Sequence, residues 1–458
     1  MTERKYFGTD GIRGKANKFP MDAMTAMKVG MAAGIVLKNG KHKNRVVVGK
    51  DTRLSGYMIE SALTAGFNSV GVDVFLIGPI PTPGVAMLTK SMRCDLGVVI
   101  SASHNPYFDN GIKLFDKHGR KFPDDIESKI EEVLGEEDLS KYLVDGDKIG
   151  RATRSDNDKY QQRYIEYVKN TFPKNLTLEG IKIVLDCANG ASYKVAPTIL
   201  WELGAEVITI GDKPTGLNIN DKCGSTDVGM LQKKVIEHNA DLGIALDGDA
   251  DRIILVDEKG QEVDGDKIIA LVSKKMLKEK TLKGGKVIVT KMSNLGLENY
   301  LRDELGLGIE RTEVGDRYVA EVMRNGGYNL GGEQSGHIIL GDFSTTGDGI
   351  CVALQILSVL IKNKDKKISE LVNLYKTVPQ VLKNIKFENE ENPLTNNSVI
   401  QTIEECKKEL GNTGRILIRK SGTQPLIRVM VECIDEDLMN KIINLLVKKI
   451  KEVLILSN

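Results

Sequence analysis

The 458-residue sequence predicts an α/β protein with three similar α/β domains followed by a smaller C-terminal α+β domain. One pattern occurs three times: an apolar, β-branched run, then a turn rich in Gly, Ser or Asn, then a helical stretch. The copies begin at Arg45, Ile181 and Lys286. Short, wholly apolar runs beside helices are typical of strands in mixed or parallel sheets that are covered on both faces. A single large sheet with coincidental similarity is the alternative.

Two further features bear on the domain organisation. The helical stretch of each copy ends near a glycine, as a C-terminal cap would, and a second apolar run follows it. From about Val378 the pattern changes to strand, helix, strand, strand and helix, which predicts a small module with its own core. We therefore predict four domains, at residues 1–155, 156–258, 259–375 and 376–458.

Composition argues against several classes of partner. The 64 Lys and Arg against 63 Asp and Glu give a formal net charge of +1, which argues against a nucleic-acid-binding protein. The most apolar stretch, residues 350–361, is too short to span a membrane, and the N-terminus lacks the apolar core of a signal peptide. The six cysteines form no CxxC pair and the five histidines do not cluster. These features predict a cytoplasmic protein with reduced thiols, no zinc site, and neither nucleic acid nor membrane as a partner.

The first candidate site is the segment ISASHNPYFDNGIKLF at residues 100–115. An apolar run ends at Ile100, and Ser101, Ser103 and His104 follow it. A serine at the end of a buried strand can act as a nucleophile or carry a phosphate covalently, although an ordinary Ser/Asn/Pro turn has the same composition. We do not expect a Ser103–His104 dyad, because adjacent side chains in a turn seldom face each other.

The second candidate site is GIALDGDADRIILVD at residues 243–257, where Asp247, Asp249 and Asp251 alternate directly after an apolar run. Three carboxylates at this spacing repel one another unless a cation lies among them, and hard oxygen ligands suit Mg²⁺ or Ca²⁺. An EF-hand is excluded because Arg252 stands where that loop requires glycine, and an apolar strand follows. We predict a cation-binding loop at the surface of a cleft, with an acidic, solvated turn as the alternative.

The third candidate site is GGEQSGH at residues 331–337. Its glycines allow the backbone to approach a ligand closely, and Glu333, Ser335 and His337 supply polar groups. A Gly-rich turn without function is the alternative.

The fourth candidate site is RKSGTQPLIR at residues 419–428. Ser421, Gly422 and Thr423 offer hydroxyl and backbone N–H donors, while Arg419 and Arg428 add fixed positive charge. Such a set binds anions, although a hairpin turn with flanking arginines has the same residues. Taken together, the four segments supply what phosphoryl transfer needs: a phosphate carrier, a cation, polar groups for the acceptor, and an anion site.

These motifs give the sequence a resemblance to a known family. FGTDGIRG at residues 7–14, SASHNP, DGDADR, GGEQSGH and RKSGTQPLIRVMVE occur in the order typical of the α-D-phosphohexomutase superfamily, which the chain resembles over nearly its whole length. VGDRYV at residues 314–319 and LNINDKCGSTD at residues 217–227 are similar to segments of its amino-sugar branch. The resemblance implies four domains around a central cleft, and interconversion of glucosamine 6-phosphate and glucosamine 1-phosphate through a bound 1,6-bisphosphate. This reaction would feed UDP-N-acetylglucosamine synthesis.

The resemblance also implies roles for individual residues. The phosphoserine would be Ser103, and one Mg²⁺ per chain would be held by a phosphate oxygen on Ser103 together with Asp247, Asp249 and Asp251. Charge stabilisation or proton transfer would fall to Arg13, Lys113, Arg252 and His337. Sugar hydroxyls would be contacted by the loop with Glu333 and Ser335. The phosphate that is not reacting would be held by Arg419, Ser421, Gly422, Thr423 and Arg428.

Two residues depart from the family pattern. Ala250 replaces the usual glycine of DGDGDR at a position that is not a ligand, and Gln424 replaces the usual glutamate of SGTEP.

The expected ligands are a sugar phosphate and the 1,6-bisphosphate that serves as intermediate and activator, and the expected assembly is a monomer or homodimer. Three alternatives are a sibling phosphoglucomutase or phosphomannomutase, a Mg²⁺-dependent sugar phosphatase, and a non-catalytic sugar-phosphate-binding protein. The phosphatase would not need RKSGTQP, and the binding protein would not need Ser103, Lys113 and the three aspartates.

Overall fold

The computed structural model describes residues 5–8, 10–38, 42–154, 158–386, 393–420 and 426–456. It divides into two compact units. The larger consists of Met1–Thr290 with Glu310–Asn373, and the smaller of Lys291–Ile309 with Leu374–Asn458. Among the described residues the strands form four sheets.

The first sheet takes its strands from the N-terminal third of the chain. They are β1 (Phe7–Gly8), β2 (Gly11–Lys15), β3 (Arg45–Lys50), β4 (Asp73–Pro79), β5 (Leu96–Ile100), β6 (Asp109–Asp116) and β7 (Ala152–Arg154). The helices of this part are α1 (Ala23–Val36), α2 (Ser55–Ser69), α3 (Thr82–Ser91), α4 (Asp124–Leu134) and α5 (Lys159–Lys169). The strand order is β1-β2-β6-β5-β3-β4-β7. Helices α1 and α2 pack closely because a Cβ at Gly30 or Gly66 would lie only 2.5 or 2.1 Å from a carbonyl oxygen of the other helix.

The second sheet follows. Its strands are β8 (Lys182–Asp186), β9 (Glu206–Ile210), β10 (Leu242–Leu246), β11 (Ile253–Asp257) and β12 (Glu262–Val263). Its helices are α6 (Val195–Glu202) and α7 (Gly229–Glu237). The strand order is β12-β11-β10-β8-β9, and β10 and β11 are buried along their whole length.

The third sheet has the order β14-β13-β15-β16. Its strands are β13 (Lys286–Thr290), β14 (Gly308–Thr312), β15 (Leu330–Gly332) and β16 (Ile338–Leu340). The helices of this stretch are α8 (Gly265–Lys278), α9 (Leu295–Asn299), α10 (Asp316–Gly326), α11 (Gly349–Lys362) and α12 (Ile368–Leu371). Helix α11 covers the most apolar stretch of the sequence and is buried over most of its length, which confirms the prediction of a buried helix. In the described part of the chain, no helix combines the length and apolar character that crossing a membrane requires.

The three sheets share one strand order, which confirms the predicted repetition. It reads β4-β3-β5-β6 in the first sheet, β9-β8-β10-β11 in the second and β14-β13-β15-β16 in the third. Counted in chain order, the first strand of each unit (β3, β8 or β13) pairs in parallel with the third strand (β5, β10 or β15). The third strand in turn pairs antiparallel with the fourth (β6, β11 or β16). The turns between third and fourth strands are therefore equivalent, and they are residues 101–108, 247–252 and 333–337. SASHNP, DGDADR and the end of GGEQSGH occupy these three turns.

The C-terminal part forms a separate small α+β layer structure. Its strands β17 (Gln380–Lys386), β18 (Gly414–Lys420) and β19 (Leu426–Cys433) are antiparallel in the order β17-β19-β18. Its helices are α13 (Asn397–Leu410) and α14 (Glu436–Leu456). Alternate residues of β19 pack with α14 in one core. This order matches the predicted strand, helix, strand, strand and helix, while the boundaries at residues 155, 258 and 375 stay a prediction.

Candidate active site

The turn that follows β5 holds Ser103 in a fixed position. Ser103 is 1% exposed, and its Oγ donates a hydrogen bond of 2.5 Å to Oδ2 of Asp247. Its backbone lies in the left-handed region, with φ +52°. Nδ1 of His104 lies 3.4 Å from Ser103 Oγ, so the expectation that these two side chains do not face each other is wrong. The left-handed backbone explains the difference, because consecutive side chains point to opposite sides only in an extended chain.

The turn that follows β10 brings Asp247, Asp249 and Asp251 together. One carboxylate oxygen from each lies within 4.8 Å of the others, and all three residues are buried, so the expectation of a surface loop is wrong. Burial and the neighbouring charges of Asp251 and Asp249 raise the pKa of Asp247 well above its usual value. Oδ1 of Asp249 is buried without a hydrogen-bond partner among the described residues. Buried carboxylate oxygens with such an unpaired atom fit a divalent cation that prefers hard oxygen ligands, such as Mg²⁺ or Ca²⁺.

Lys113 connects this acidic cluster to the N-terminal strands. Its Nζ lies 2.9 Å from Asp249, 3.4 Å from Asp251 and 3.4 Å from Asp10. Arg13 forms an ion pair with the same Asp10. Burial alone would lower the pKa of Lys113, but the three carboxylates raise it well above its usual value. The Lys113 ammonium therefore remains charged within the cluster, and Arg13 lies next to it.

Arg252 and His337 form an isolated antiparallel bridge that joins the turn after β10 to the turn after β15. Nδ1 of His337 lies 3.5 Å from Asp251, and its Nε2 lies 3.3 Å from Asp316. Burial alone would lower the pKa of His337, but these two carboxylates raise it to about 8. The Gly347 N–H donates to Nε2 at 3.0 Å when that nitrogen carries no proton. His337 can thus hold or release a proton at Nε2.

The turn after β15 also carries Glu333 and Ser335. Glu333 is 8% exposed, its Oε1 accepts the Gly315 N–H at 3.1 Å, and burial raises its pKa. Ser335 is exposed to solvent. Asp316, at the start of α10, lies 2.5 Å from Nζ of Lys121, so its charge already has a partner.

Three residues to which the motif reading gave no role also contact residues of the site. Lys121 forms ion pairs with both Asp10 and Asp316, and Thr82 Oγ1 donates to Asp249 at 2.6 Å. Asp10 lies inside FGTDGIRG, a signal that could have identified it. Lys121 and Thr82 lie in none of the sequence motifs described above, so the sequence does not single them out.

The predicted phosphate loop lies in the smaller unit, and only its two ends are described. Outside the described residues fall Ser421, Gly422, Thr423 and Gln424. Arg419 in β18 is directly opposite Arg428 in β19, and Nε of Arg428 is buried without a hydrogen-bond partner among the described residues. Like charges directly opposite each other on two strands repel, so an anion bound to both arginines would stabilise this end of the hairpin.

The larger unit therefore brings together a serine hydroxyl, three carboxylates, the positively charged side chains of Lys113 and Arg252, and the imidazole of His337. Ser103 Oγ could accept a phosphoryl group, the carboxylates could hold a cation, and Lys113 and Arg252 could balance phosphate charge. Such an arrangement suits the transfer of a phosphoryl group to and from the serine.

Four family descriptions match the chain in order. Phosphoglucomutase/phosphomannomutase alpha/beta/alpha domain I matches residues 4–141, domain II residues 162–260, domain III residues 264–378, and the C-terminal domain residues 382–449. The chain belongs to the phosphoglucomutase/phosphomannomutase family, and the fold and the site define an intramolecular phosphotransferase.

Comparison with individual proteins identifies the branch of the family. Phosphoglucosamine mutase of Zymomonas mobilis is 59% identical over 441 residues, with 96% of this chain and 97% of that protein covered. Phosphoglucosamine mutase of Rhizobium etli is 55% identical over 451 residues, with 98% and 99% covered. Within its family the chain therefore groups with the phosphoglucosamine mutases.

Solved structures show the same fold. A phosphoglucomutase/phosphomannomutase family protein from Burkholderia thailandensis superposes with a TM-score of 0.80 at 23% identity, covering 98% of this chain and 97% of that one. N-acetylphosphoglucosamine mutase from Aspergillus fumigatus, solved in complex with GlcNAc-6P and magnesium, gives a TM-score of 0.67 at 16% identity, with 99% and 96% covered. At these identities the likeness concerns the fold alone.

Proposed function

We propose that this mutase interconverts glucosamine 6-phosphate and glucosamine 1-phosphate with Ser103 as the phosphate carrier. The observation that carries the proposal is the 2.5 Å hydrogen bond from Ser103 Oγ to Asp247, inside a buried group of three carboxylates. The bond between Oγ and phosphorus breaks while a free sugar hydroxyl forms a new bond to the same phosphorus, which gives the 1,6-bisphosphate. Transfer of the other phosphate back to Oγ then releases the isomer.

The residues of the larger unit divide this work. Asp247, Asp249 and Asp251, with a phosphate oxygen on Ser103, would hold Mg²⁺, which when bound neutralises charge on the phosphoryl group. Lys113 remains charged beside the carboxylates and balances phosphate oxygens there. His337 is assigned the proton transfer, because an imidazole with a pKa of about 8 can release and take back a proton near neutral pH.

Recognition of the substrate involves two further groups. We assign Arg419, Arg428 and the loop between them to binding the phosphate that is not reacting. Because either phosphate of the intermediate must bind there in turn, fixed positive charges suit this role better than a pocket shaped for one sugar. The protonated 2-amino group of the sugar needs a carboxylate. Asp316 already pairs with Lys121, so Glu333 is the better candidate.

Substrate preference tests this assignment. One charge-assisted hydrogen bond to the amine, about 1.5–3 kcal/mol, corresponds to roughly a ten- to hundredfold preference for glucosamine 6-phosphate. The measurement is kcat/KM for glucosamine, glucose and mannose 6-phosphates with bisphosphate activator present. A higher value for glucose or mannose phosphate would move the chain to the sibling activities, and release of inorganic phosphate without isomer would support a phosphatase.

The mass of the intact protein tests the role of Ser103 as phosphate carrier separately. We expect active protein to gain one phosphate on Ser103, and Ser103→Ala to lose both this mass and mutase turnover while keeping its circular dichroism spectrum. Full activity of Ser103→Ala would rule out the covalent route.

A further inference from the structure

The turn that holds Ser103 is fixed by two side chains that have no role in the chemistry above. An L residue at φ +52° keeps that conformation only when its surroundings hold it there. The carbonyl oxygens of Ser103 and Asn105 each accept hydrogen bonds from both Arg53 and Asn220. Two side chains from different parts of the chain thus bind the same two carbonyls.

Arg53 reaches them from the loop after β3 and is fully buried, at 0% exposure. Its NH2 group donates to Ser103 O at 3.2 Å and to Asn105 O. Its NH1 group pairs with Asp51, whose Oδ1 also accepts the backbone N–H of Arg53 at 2.9 Å. The carboxylate balances the buried charge and fixes the plane of the guanidinium group.

Asn220 reaches the same carbonyls from the loop that precedes α7. Its Nδ2 donates to Ser103 O at 2.9 Å and to Asn105 O at 2.9 Å. The backbone of Asn220 is itself left-handed, with φ +55°, and its N–H donates to Ala188 O at 2.9 Å. The loops beside the second sheet therefore hold the serine turn of the first.

Gly248 allows the carboxylate turn to come equally close. A Cβ at this position would lie 2.6 Å from Ser103 O and 2.9 Å from Nδ2 of Asn220. Any side chain here would push the Ser103 carbonyl or the Asn220 amide out of place. The serine turn, Asn220 and the turn of Asp247 therefore pack as one unit.

We propose that Arg53 and Asn220 are positioning residues for the phosphate carrier, and that they aim Ser103 Oγ at Asp247 by fixing the Ser103 and Asn105 carbonyls. This rests on the proposed function of Ser103. Both residues act through the serine and not on the sugar, so their loss slows phosphoryl transfer and leaves sugar-phosphate affinity unchanged. A misplacement of about 1 Å is enough to lower a rate by up to about a hundredfold.

Asn220 offers the cleaner variants, because removal of Arg53 would leave the buried Asp51 without its partner. Asn220→Asp keeps the size of the side chain and its tolerance of a left-handed backbone, but it replaces the donor with a carboxylate that repels both carbonyls. Asn220→Gly removes the side chain and suits the same backbone. Asn218→Asp is the matched control, since Asn218 lies in the same loop and its Nδ2 donates to Lys213 O at 3.0 Å.

The experiment follows phosphorylation of Ser103 in dephosphorylated enzyme with Mg²⁺ and glucosamine 1,6-bisphosphate, measured by intact mass. In this step a sugar oxygen–phosphorus bond breaks, the Oγ–phosphorus bond forms, and the Oγ proton goes to the sugar oxygen. We expect both Asn220 variants to be slower by more than about tenfold, and Asn218→Asp to stay within about twofold of wild type. The dissociation constant of glucosamine 6-phosphate, measured by calorimetry, should stay within about twofold in all of them.

Two results would overturn the proposal. One is phosphorylation of the Asn220 variants at the wild-type rate, and the other is a loss of sugar-phosphate affinity in proportion to the loss of rate. Wild-type protein that takes up no phosphate would overturn the proposed function and this proposal together.

Discussion

Ser103 Oγ donates to Asp247 Oδ2 across 2.5 Å, and this hydrogen bond joins the equivalent turns of the first two sheets. Phosphorylation replaces the proton of Oγ, so this bond exists only in the free hydroxyl form. In its place a phosphate dianion would face three buried carboxylates. The phosphorylated form therefore needs a cation more than the free form does.

The first prediction concerns that cation. Asp249→Asn removes one of the proposed cation ligands without changing the size of the side chain, so we expect mutase turnover to fall by at least about a hundredfold. Chelation of divalent cations should abolish turnover, and added Mg²⁺ should restore it. Asp257→Asn is the matched control: Asp257 is also buried, but its Oδ1 accepts backbone N–H groups of Lys259 and Gln261 at 2.9 and 2.8 Å. Chelator-treated enzyme with its full rate would show that the cation is not catalytic.

The second prediction concerns the two opposed arginines. In the proposed function Arg428 makes one charge-assisted contact to phosphate, worth about 1.5–3 kcal/mol, so Arg428→Ala should raise KM by roughly tenfold or more. Phosphate on Ser103 should still form. Lys383→Ala on neighbouring β17 is the control, and an unchanged KM in Arg428→Ala would make the hairpin purely structural.

The third prediction concerns Ala250, which lies in the turn of the three aspartates. Its φ is +56°, a region in which a Cβ costs an L residue about 1–2 kcal/mol. The buried methyl group offsets part of this cost, so Ala250→Gly should raise the free energy of unfolding by about 0.5 kcal/mol. Ala245→Gly in β10 is the control and should be destabilising, because that residue is in a buried strand. Urea titrations of both variants measure whether the free energy of unfolding rises or falls. A lower free energy of unfolding in Ala250→Gly would contradict the prediction.

The fourth prediction concerns Asp348, the N-cap of α11. Its Oδ1 accepts the N–H groups of Ile350 and Cys351, and its Oδ2 accepts the Tyr164 hydroxyl at 3.0 Å. Burial raises the pKa of Asp348 from 3.8 to about 6, so the folded protein binds this proton more tightly than the unfolded chain does. Its contribution to stability is complete below about pH 4 and is lost as pH rises through about 6.

Asp348→Asn keeps both capping bonds and does not titrate, so it isolates this effect. The free energy of unfolding of the variant relative to wild type should increase by about 1–3 kcal/mol between pH 4 and pH 6.5. Chemical denaturation at several pH values measures this difference. A difference that does not change with pH would show that the folded Asp348 keeps its ordinary pKa.

The sequence predicts the parts of the site that lie within one turn. Asp247, Asp249 and Asp251 stand out because they alternate directly after an apolar strand, and Ser103 stands out because it ends another. The repeated strand, turn and helix pattern likewise predicts three sheets of one kind, because each copy is local in the chain.

The contacts between turns could not be predicted in this way. Asn220 and Ser103 are 117 residues apart, and Lys121 and Asp316 are 195 apart, so no spacing in the sequence relates them. The left-handed backbone of Ser103, which brings His104 beside its Oγ, has no counterpart in the sequence pattern either. Tertiary packing decides such features, and local patterns do not record it.

The equivalence of the three turns has a consequence for how such an enzyme changes over time. One ancestral hairpin, duplicated twice, would give three equivalent turns, of which one now holds Ser103, one holds the three aspartates and one holds Glu333, Ser335 and His337. In the proposed function Glu333 and Ser335 face the sugar, so a replacement of either should alter the preference among hexose phosphates while Ser103 and the three aspartates stay in place.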